Sequence, residues 1–164
     1  MNNKILITIA LAVFFIAVIF LFSFFYSAPK QASVCFNPPA GGCFKVEIAK
    51  TSLELSKGLT LRKSLEQNKG MLFIFDKPDL YSIWMPNMKF YLDVIWFDSE
   101  GHVVHIEENI RPCQTALEIQ TCPDISPNGN SLYILEVTSG FVDKFNITKD
   151  SKFSWVSDNP SYGQ

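Results

Sequence analysis

Several features that mark common functional classes are missing from this chain of 164 residues. It has no run of basic residues, and its formal net charge is −2, which argues against binding to nucleic acid or to an anionic membrane surface. It lacks a phosphate-binding glycine loop and a helical His-Glu-x-x-His motif. No serine or cysteine has the sequence context of a catalytic nucleophile. The sequence therefore predicts no catalytic residue, no metal ion and no cofactor.

The chain does have a long apolar segment near its beginning. Residues 5–26 carry no charge, and a helix of these 22 residues would extend about 33 Å, enough to cross the hydrocarbon core of a bilayer. We expect residues 1–26 to be an uncleaved signal anchor in the cytoplasmic membrane, with the rest of the chain outside the cytoplasm. The alternative is a cleaved signal peptide, whose apolar core is usually shorter, at roughly 7–15 residues.

The rest of the chain divides by composition into three parts. Residues 27–42 are rich in proline and glycine, which predicts a tether. Residues 43–157 have the length of one domain, which we expect to lie outside the cytoplasm. Residues 158–164 are expected to form a short tail.

Four cysteines follow the apolar segment and fall into two local pairs. Cys35 and Cys43 flank a proline- and glycine-rich loop, and Cys113 and Cys122 flank a polar loop. An even number of cysteines in a small exported domain favours disulfides, and neither pair has the spacing of a zinc knuckle. We expect the two local disulfides; free buried thiols are the alternative.

The patterning of apolar residues predicts a mainly β domain. Residues 44–49, 71–75, 91–97, 102–108, 132–137 and 152–156 alternate or run apolar as strands do, and only two short helices are expected. Because helices and strands do not alternate regularly, we expect an antiparallel sandwich or a partly open barrel after the N-terminal transmembrane helix.

The order of several motifs resembles the domain of unknown function 192 family. The motifs span roughly residues 44–155, and it is their co-occurrence in order that is specific: Gly58-Leu59, Arg62, Gly70-Met71-Leu72-Phe73, Trp84-Met85, Asn87, Leu92-Asp93, Asp98, Gly101, Pro112-Cys113, Cys122-Pro123 and Leu135-Glu136-Val137. The resemblance implies a compact β domain, common in bacteria and archaea and often exported or anchored. It implies no biochemical activity.

This chain departs from the family pattern near the Trp-Met element. Thr60 stands where a methionine is common, and Ile83 where a phenylalanine often precedes Trp-Met. Pro86 and Met88 replace the lysine and threonine that commonly flank the asparagine. A polar site at this asparagine in relatives would therefore be more apolar in this chain.

Two carboxylates lie within apolar strands and are the main polar candidates for a site. Asp93 and Glu136 could serve as an acid–base pair, because burial or a second carboxylate raises the pKa of a carboxyl group. Alternatively, Asp93 accepts backbone hydrogen bonds from a turn or pairs with Arg62, since a guanidinium suits a bidentate pairing. Sequence spacing does not separate these alternatives.

The element Trp84-Met85-Pro86-Asn87 could line a ligand pocket, with the indole as an apolar platform and the Asn87 amide as a polar contact. Alternatively, Trp84 and Met85 belong to the core and Asn87 forms a turn. We therefore predict a non-enzymatic envelope module that binds a small ligand or an envelope protein, with a candidate polar cluster at Arg62, Trp84, Asn87, Asp93 and Glu136. The alternatives are a hydrolase or carbohydrate-modifying enzyme that uses Asp93 and Glu136, and a structural assembly subunit.

Overall fold

A computed structural model of the protein describes residues 3–25, 30–37 and 40–158, so the predicted tail beyond residue 158 lies outside the described residues. The described elements are seven strands and four helices. In chain order they are α1 (Asn3–Phe25), β1 (Gln31–Phe36), β2 (Gly42–Ala49), α2 (Ser52–Lys57), β3 (Lys69–Asp79), β4 (Leu92–Phe97), β5 (Val103–Ile110), α3 (Ala116–Gln120), β6 (Ser131–Thr138), α4 (Phe141–Phe145) and β7 (Phe153–Ser157).

Helix α1 coincides with the predicted anchor, and its side chains are described for residues 7–20. In the part of the chain that the structure describes, no helix is both long and apolar enough to count as a membrane span. The predicted transmembrane helix is therefore not supported by the described residues.

The strands form one open sheet in the order β5-β4-β6-β3-β2-β1-β7. All neighbouring strands pair antiparallel except β2 and β3, which are parallel. Parallel neighbours need a crossover connection, and residues 50–68, including α2, provide it. The mainly β prediction is confirmed.

The predicted sandwich is wrong, because one sheet takes the place of two packed sheets. Its two edge strands nevertheless approach each other at one corner. The Phe153 amide donates to the Gly101 carbonyl at 2.9 Å, and the Val103 amide donates to the Ser151 carbonyl at 3.2 Å. The sheet is otherwise open, so of the two predicted architectures the structure is nearer to the partly open barrel.

Two elements differ from the sequence-based expectation. Strand β1 lies within the predicted tether, because Ala32, Val34 and Phe36 alternate into the core and β1 pairs with both β2 and β7. Helix α3 was not predicted either. It begins with a capping box in which the Thr115 side chain accepts from the Glu118 amide and the Glu118 side chain accepts from the Thr115 amide.

Each face of the sheet carries its own apolar cluster. The α4 face contains Leu72, Ile95, Phe97, Leu135 and Val137, against which Phe141 and Val142 of α4 pack. The opposite face, which we call the pocket face, contains Met71, Phe73, Leu92, Val94, Trp96 and Ile134. Because side chains alternate along a strand, neighbouring residues of β4 and β6 belong to different clusters.

Candidate functional site

A cavity of about 180 Å³ opens on the pocket face of the sheet. Its mouth lies between two segments: the end of α2 with the residues that follow it, from Leu55 to Thr60, and the segment from Tyr81 to Met88. The floor comes from strands β3, β4 and β6, which contribute Phe73, Phe75, Leu92, Ile134 and Glu136. Gly58 at the mouth has a positive φ of 45°, and an added Cβ would lie 3.3 Å from the Phe73 ring. This turn therefore favours glycine.

Glu136 is the only ionisable group on the floor of this cavity among the described residues. It is 8% exposed, and no described residue hydrogen-bonds to its carboxyl. Burial raises the pKa of Glu136 from its ordinary value to about 8. The carboxyl is therefore mostly neutral at pH 7, so it can both donate and accept a hydrogen bond.

The segment from Tyr81 to Met88, which we call the pocket wall, is held by backbone hydrogen bonds to a neighbouring loop. Ile83 exchanges two such bonds with Ile125, at 2.9 and 2.8 Å. The Cys113 amide donates to the Met85 carbonyl at 3.0 Å, and its carbonyl accepts from the Asn87 amide at 2.8 Å. The wall therefore keeps its position although it is not part of the sheet.

Side chains complete the support of the pocket wall. The Trp96 indole N–H donates to the Tyr81 carbonyl at 2.8 Å, and the Gln114 amide group donates to the Met88 carbonyl at 3.1 Å. The Tyr81 ring stacks on Phe75 with a centroid separation of 3.6 Å.

Both predicted disulfides are formed, Cys35–Cys43 and Cys113–Cys122, and the described chain has no free cysteine. They differ in position. Cys35 and Cys43 are direct partners in the β1–β2 ladder, whereas Cys113 belongs to the loop that supports the pocket wall. The Cys113–Cys122 disulfide thus closes a loop that begins at Cys113 and ends just before Ile125. Both Cys113 and Ile125 hold the pocket wall by backbone hydrogen bonds.

Asp93 lies on the other face of the sheet. It is 0% exposed, and its two carboxylate oxygens accept from the Asn109 amide at 2.9 Å and the Val142 amide at 3.0 Å. Val142 is in the first turn of α4, so Asp93 satisfies an amide that the helix itself leaves unpaired. This is the backbone-clamp alternative considered for Asp93, and it separates Asp93 from Glu136 by the thickness of the sheet.

Arg62 does not pair with Asp93. Its guanidinium makes a bidentate ion pair with Glu47, with both nitrogen–oxygen distances at 2.5 Å. The pair lines a separate cavity of about 440 Å³ with Lys30 and Met71. The Arg62 charge is thus already matched by a carboxylate of strand β2.

Trp84 lies at the mouth and is 62% exposed, which contradicts the core alternative for it. It lines the Glu136 cavity and also an outer groove of about 370 Å³, which includes Asn87 and Leu61. Asn87 is exposed, with a φ of 60°, and its backbone forms a turn. The predicted cluster is therefore divided: Trp84 shares one cavity with Glu136 and the outer groove with Asn87, while Arg62 and Asp93 lie elsewhere.

The arrangement suits binding. A neutral or charged carboxyl at the base of an apolar cavity can fix the orientation of a bound molecule. No group of three or more potential metal ligands occurs among the described residues. The second carboxylate that a two-carboxylate hydrolase needs is on the opposite face, bound to backbone amides.

The cavity contains residues that sequence reasoning did not assign to a site. These are Phe73, Phe75, Tyr81 and Met88. The available signal was the number of aromatic and methionine side chains that surround Trp84 in sequence. Periodicity alone does not show which of them leave a space between them.

The chain belongs to the DUF192 family, described as "Uncharacterized ACR", whose model matches residues 36–155. No curated protein matches the chain. The family assignment confirms the resemblance drawn from the ordered motifs.

Solved structures share the fold. A protein of unknown function from Novosphingobium aromaticivorans DSM 12444 is 28% identical, with a TM-score of 0.66 over 76% of this chain and 84% of that chain. A protein from Sinorhizobium meliloti 1021, named as a candidate transcription regulator, is 23% identical, with a TM-score of 0.66 over 78% of this chain and 94% of that chain. The second likeness concerns the fold alone.

Proposed function

We propose that this domain is a non-enzymatic module that binds a small ligand in the Glu136 cavity. The observation that carries the proposal is a buried carboxyl without a hydrogen-bond partner among the described residues, at the base of an apolar cavity. The only fully buried side-chain polar atom without a partner among the described residues is Ser131 Oγ, so the Glu136 carboxyl stays accessible from the cavity. A ligand in the cavity can therefore supply the hydrogen-bond partner that no described residue provides.

The size of the cavity limits the ligand. A cavity of about 150 Å³ lined by apolar side chains accepts benzene, and the cavity here is about 180 Å³. The buried part of the ligand is therefore about the size of one six-membered ring with one polar substituent. A larger ligand would extend past Trp84 into the outer groove.

A direct test measures whether ring-sized probes enter the cavity of the full-length chain. Benzyl alcohol and benzylamine are titrated into protein with ¹³C-labelled methionine methyl groups in a non-ionic detergent. We expect the Met85 and Met88 methyl signals to shift in a saturable way, since both side chains line the cavity.

A blocking variant separates this cavity from other surfaces. Thr60→Trp places an indole at the mouth from a half-buried position, and it should abolish the saturable shifts. Ser154→Trp is the matched control, because Ser154 is exposed and lines a different groove beside Trp155. Shifts that persist in Thr60→Trp would contradict the proposed site.

We further propose that the domain functions outside the cytoplasm, attached to the cytoplasmic membrane through its N-terminal segment. Two features support this proposal: the uncharged run of residues 5–26 and the pairing of all four cysteines in disulfides, which persist in oxidising compartments. The proposal predicts that the chain remains with membranes after alkaline extraction and that no cysteine reacts with maleimide before reduction. Release from membranes, or four reactive thiols, would contradict it.

A further inference from the structure

The chemistry of the ligand can be inferred from the groups that surround Glu136; this inference rests on the proposed function. We propose that the ligand presents a single protonated amine on an apolar body about the size of a benzene ring, and that the Glu136 carboxylate binds this amine. An ammonium group satisfies the carboxylate by charge and by hydrogen bonding at once. A neutral ligand would supply the hydrogen bond alone.

Aromatic side chains surround the same space. Phe73, Phe75, Tyr81 and Trp84 all line the cavity, and Phe75 and Tyr81 are already stacked against each other. Aromatic faces attract cations, and a desolvated site strengthens the attraction. Aromatic rings together with one carboxylate therefore favour an amine over an anion.

The charges around Glu136 favour the same ligand class. Lys57 of α2 is the one basic side chain that lines the cavity among the described residues, and it is exposed at the mouth. Glu47 of β2 is paired with Arg62, and Asp93 of β4 is on the other face. Of the other elements, β3 presents Met71 and Phe73, and in the pocket wall the Tyr81 hydroxyl donates to the Lys77 carbonyl at 3.0 Å. With Lys57 at the mouth, a second positive charge on the ligand would be repelled.

Binding of the amine is coupled to a proton. Below pH 8 the carboxyl holds a proton that leaves to solvent when the ammonium binds, so the ion pair forms and one proton is released. The affinity for an amine should therefore rise with pH, by about tenfold per pH unit well below the pKa of Glu136. The affinity for a neutral hydrogen-bonding ligand should not rise.

The test compares two probes of equal size on the full-length chain in non-ionic detergent. Dissociation constants of benzylamine and benzyl alcohol are measured from the Met85 and Met88 methyl shifts between pH 5.5 and 8.5. We expect benzylamine to bind at least about tenfold more tightly at pH 8, with an affinity that rises from pH 6 to 7 as one released proton requires.

Variants assign the effect to Glu136. Glu136→Gln should remove both the preference for the amine and its pH dependence, whereas Glu100→Gln, at an exposed turn, should change neither. The pH series on the unaltered chain tests the inference even if Glu136→Gln does not fold. Equal affinities for the two probes at pH 8, or amine binding unchanged by Glu136→Gln, would overturn the inference but leave the cavity as a binding site. Absence of binding by both probes would overturn the proposed function itself.

Discussion

The two faces of the sheet each bury one carboxylate, and the two groups are held in opposite ways. On the α4 face, Asp93 is completely enclosed and accepts two backbone hydrogen bonds. On the pocket face, Glu136 is almost as buried but has no hydrogen-bond partner among the described residues. A buried carboxylate with all its partners stabilises the fold, whereas one without partners is available to a ligand. Both residues lie within apolar strand sequences, so the sequence alone does not reveal this difference.

The largest expected effect comes from removing the carboxylate that is fully paired. Asp93→Ala should lower the free energy of unfolding by about 3–5 kcal/mol, because it leaves the Asn109 and Val142 amides buried without an acceptor. Asp93→Asn keeps one acceptor oxygen and should cost about half as much. Urea unfolding followed by tryptophan fluorescence measures both. A loss below about 1 kcal/mol for Asp93→Ala would show that the α4 face does not depend on this clamp.

The two disulfides sharpen the comparison, because only one of them supports the pocket face. Cys35→Ser/Cys43→Ser and Cys113→Ser/Cys122→Ser should each cost about 2–3 kcal/mol of stability, since each bond closes a loop of about ten residues. Only the second double variant should also weaken probe binding, because the Cys113 backbone holds Met85 and Asn87. Equal weakening of probe binding in both variants would indicate a general loss of structure.

The smallest expected effect is a pH dependence of the folding stability, which comes from Glu136 on the pocket face. The pKa of Glu136 is about 8 in the folded protein and about 4.3 in the unfolded chain, so the folded state binds more protons between these values. Stability contributed by the neutral carboxyl is therefore present at low pH and is lost as pH rises toward 8.

Between pH 6 and pH 8 this loss should amount to about 2 kcal/mol in the unaltered chain. Glu136→Gln should remove this part of the pH dependence, because the amide does not titrate. Urea unfolding at a series of pH values measures the slope, with Glu66→Gln as the matched control, because Glu66 is exposed and its partner Lys69 does not titrate in this range. A slope that persists in Glu136→Gln would assign the effect to another group.

Local patterns were sufficient to predict most strands but not the partners of polar groups. Strands β2 to β7 follow from apolar runs and alternation, and the local pairing of the cysteines follows from their spacing. Strand β1 was missed because only Ala32, Val34 and Phe36 alternate there, and the prolines and glycines around them indicated a tether. Its pairing with β7 joins distant parts of the chain, which no local pattern reports.

The site was only partly predictable for the same reason. Glu136 and Trp84 were identified as candidates from their residue types and their apolar neighbours in the sequence, and they do share a cavity. Asp93 and Glu136 were grouped as a possible acid–base pair. Sequence spacing does not show that their side chains lie on opposite faces of the sheet. The pairing of Arg62 with Glu47 depends on the β2–β3 crossover, which places the two residues together from different elements.

The parallel pairing of β2 with β3 has a consequence for how the cavity mouth can be altered. The crossover that it requires, residues 50–68, carries one side of the cavity mouth, whereas the carboxyl at the base belongs to a central strand. The mouth thus depends on a connection outside the sheet, and the base on a strand paired on both sides. Substitutions at exposed positions of the connection, such as Ser56, should accordingly alter the mouth while the sheet beneath stays the same.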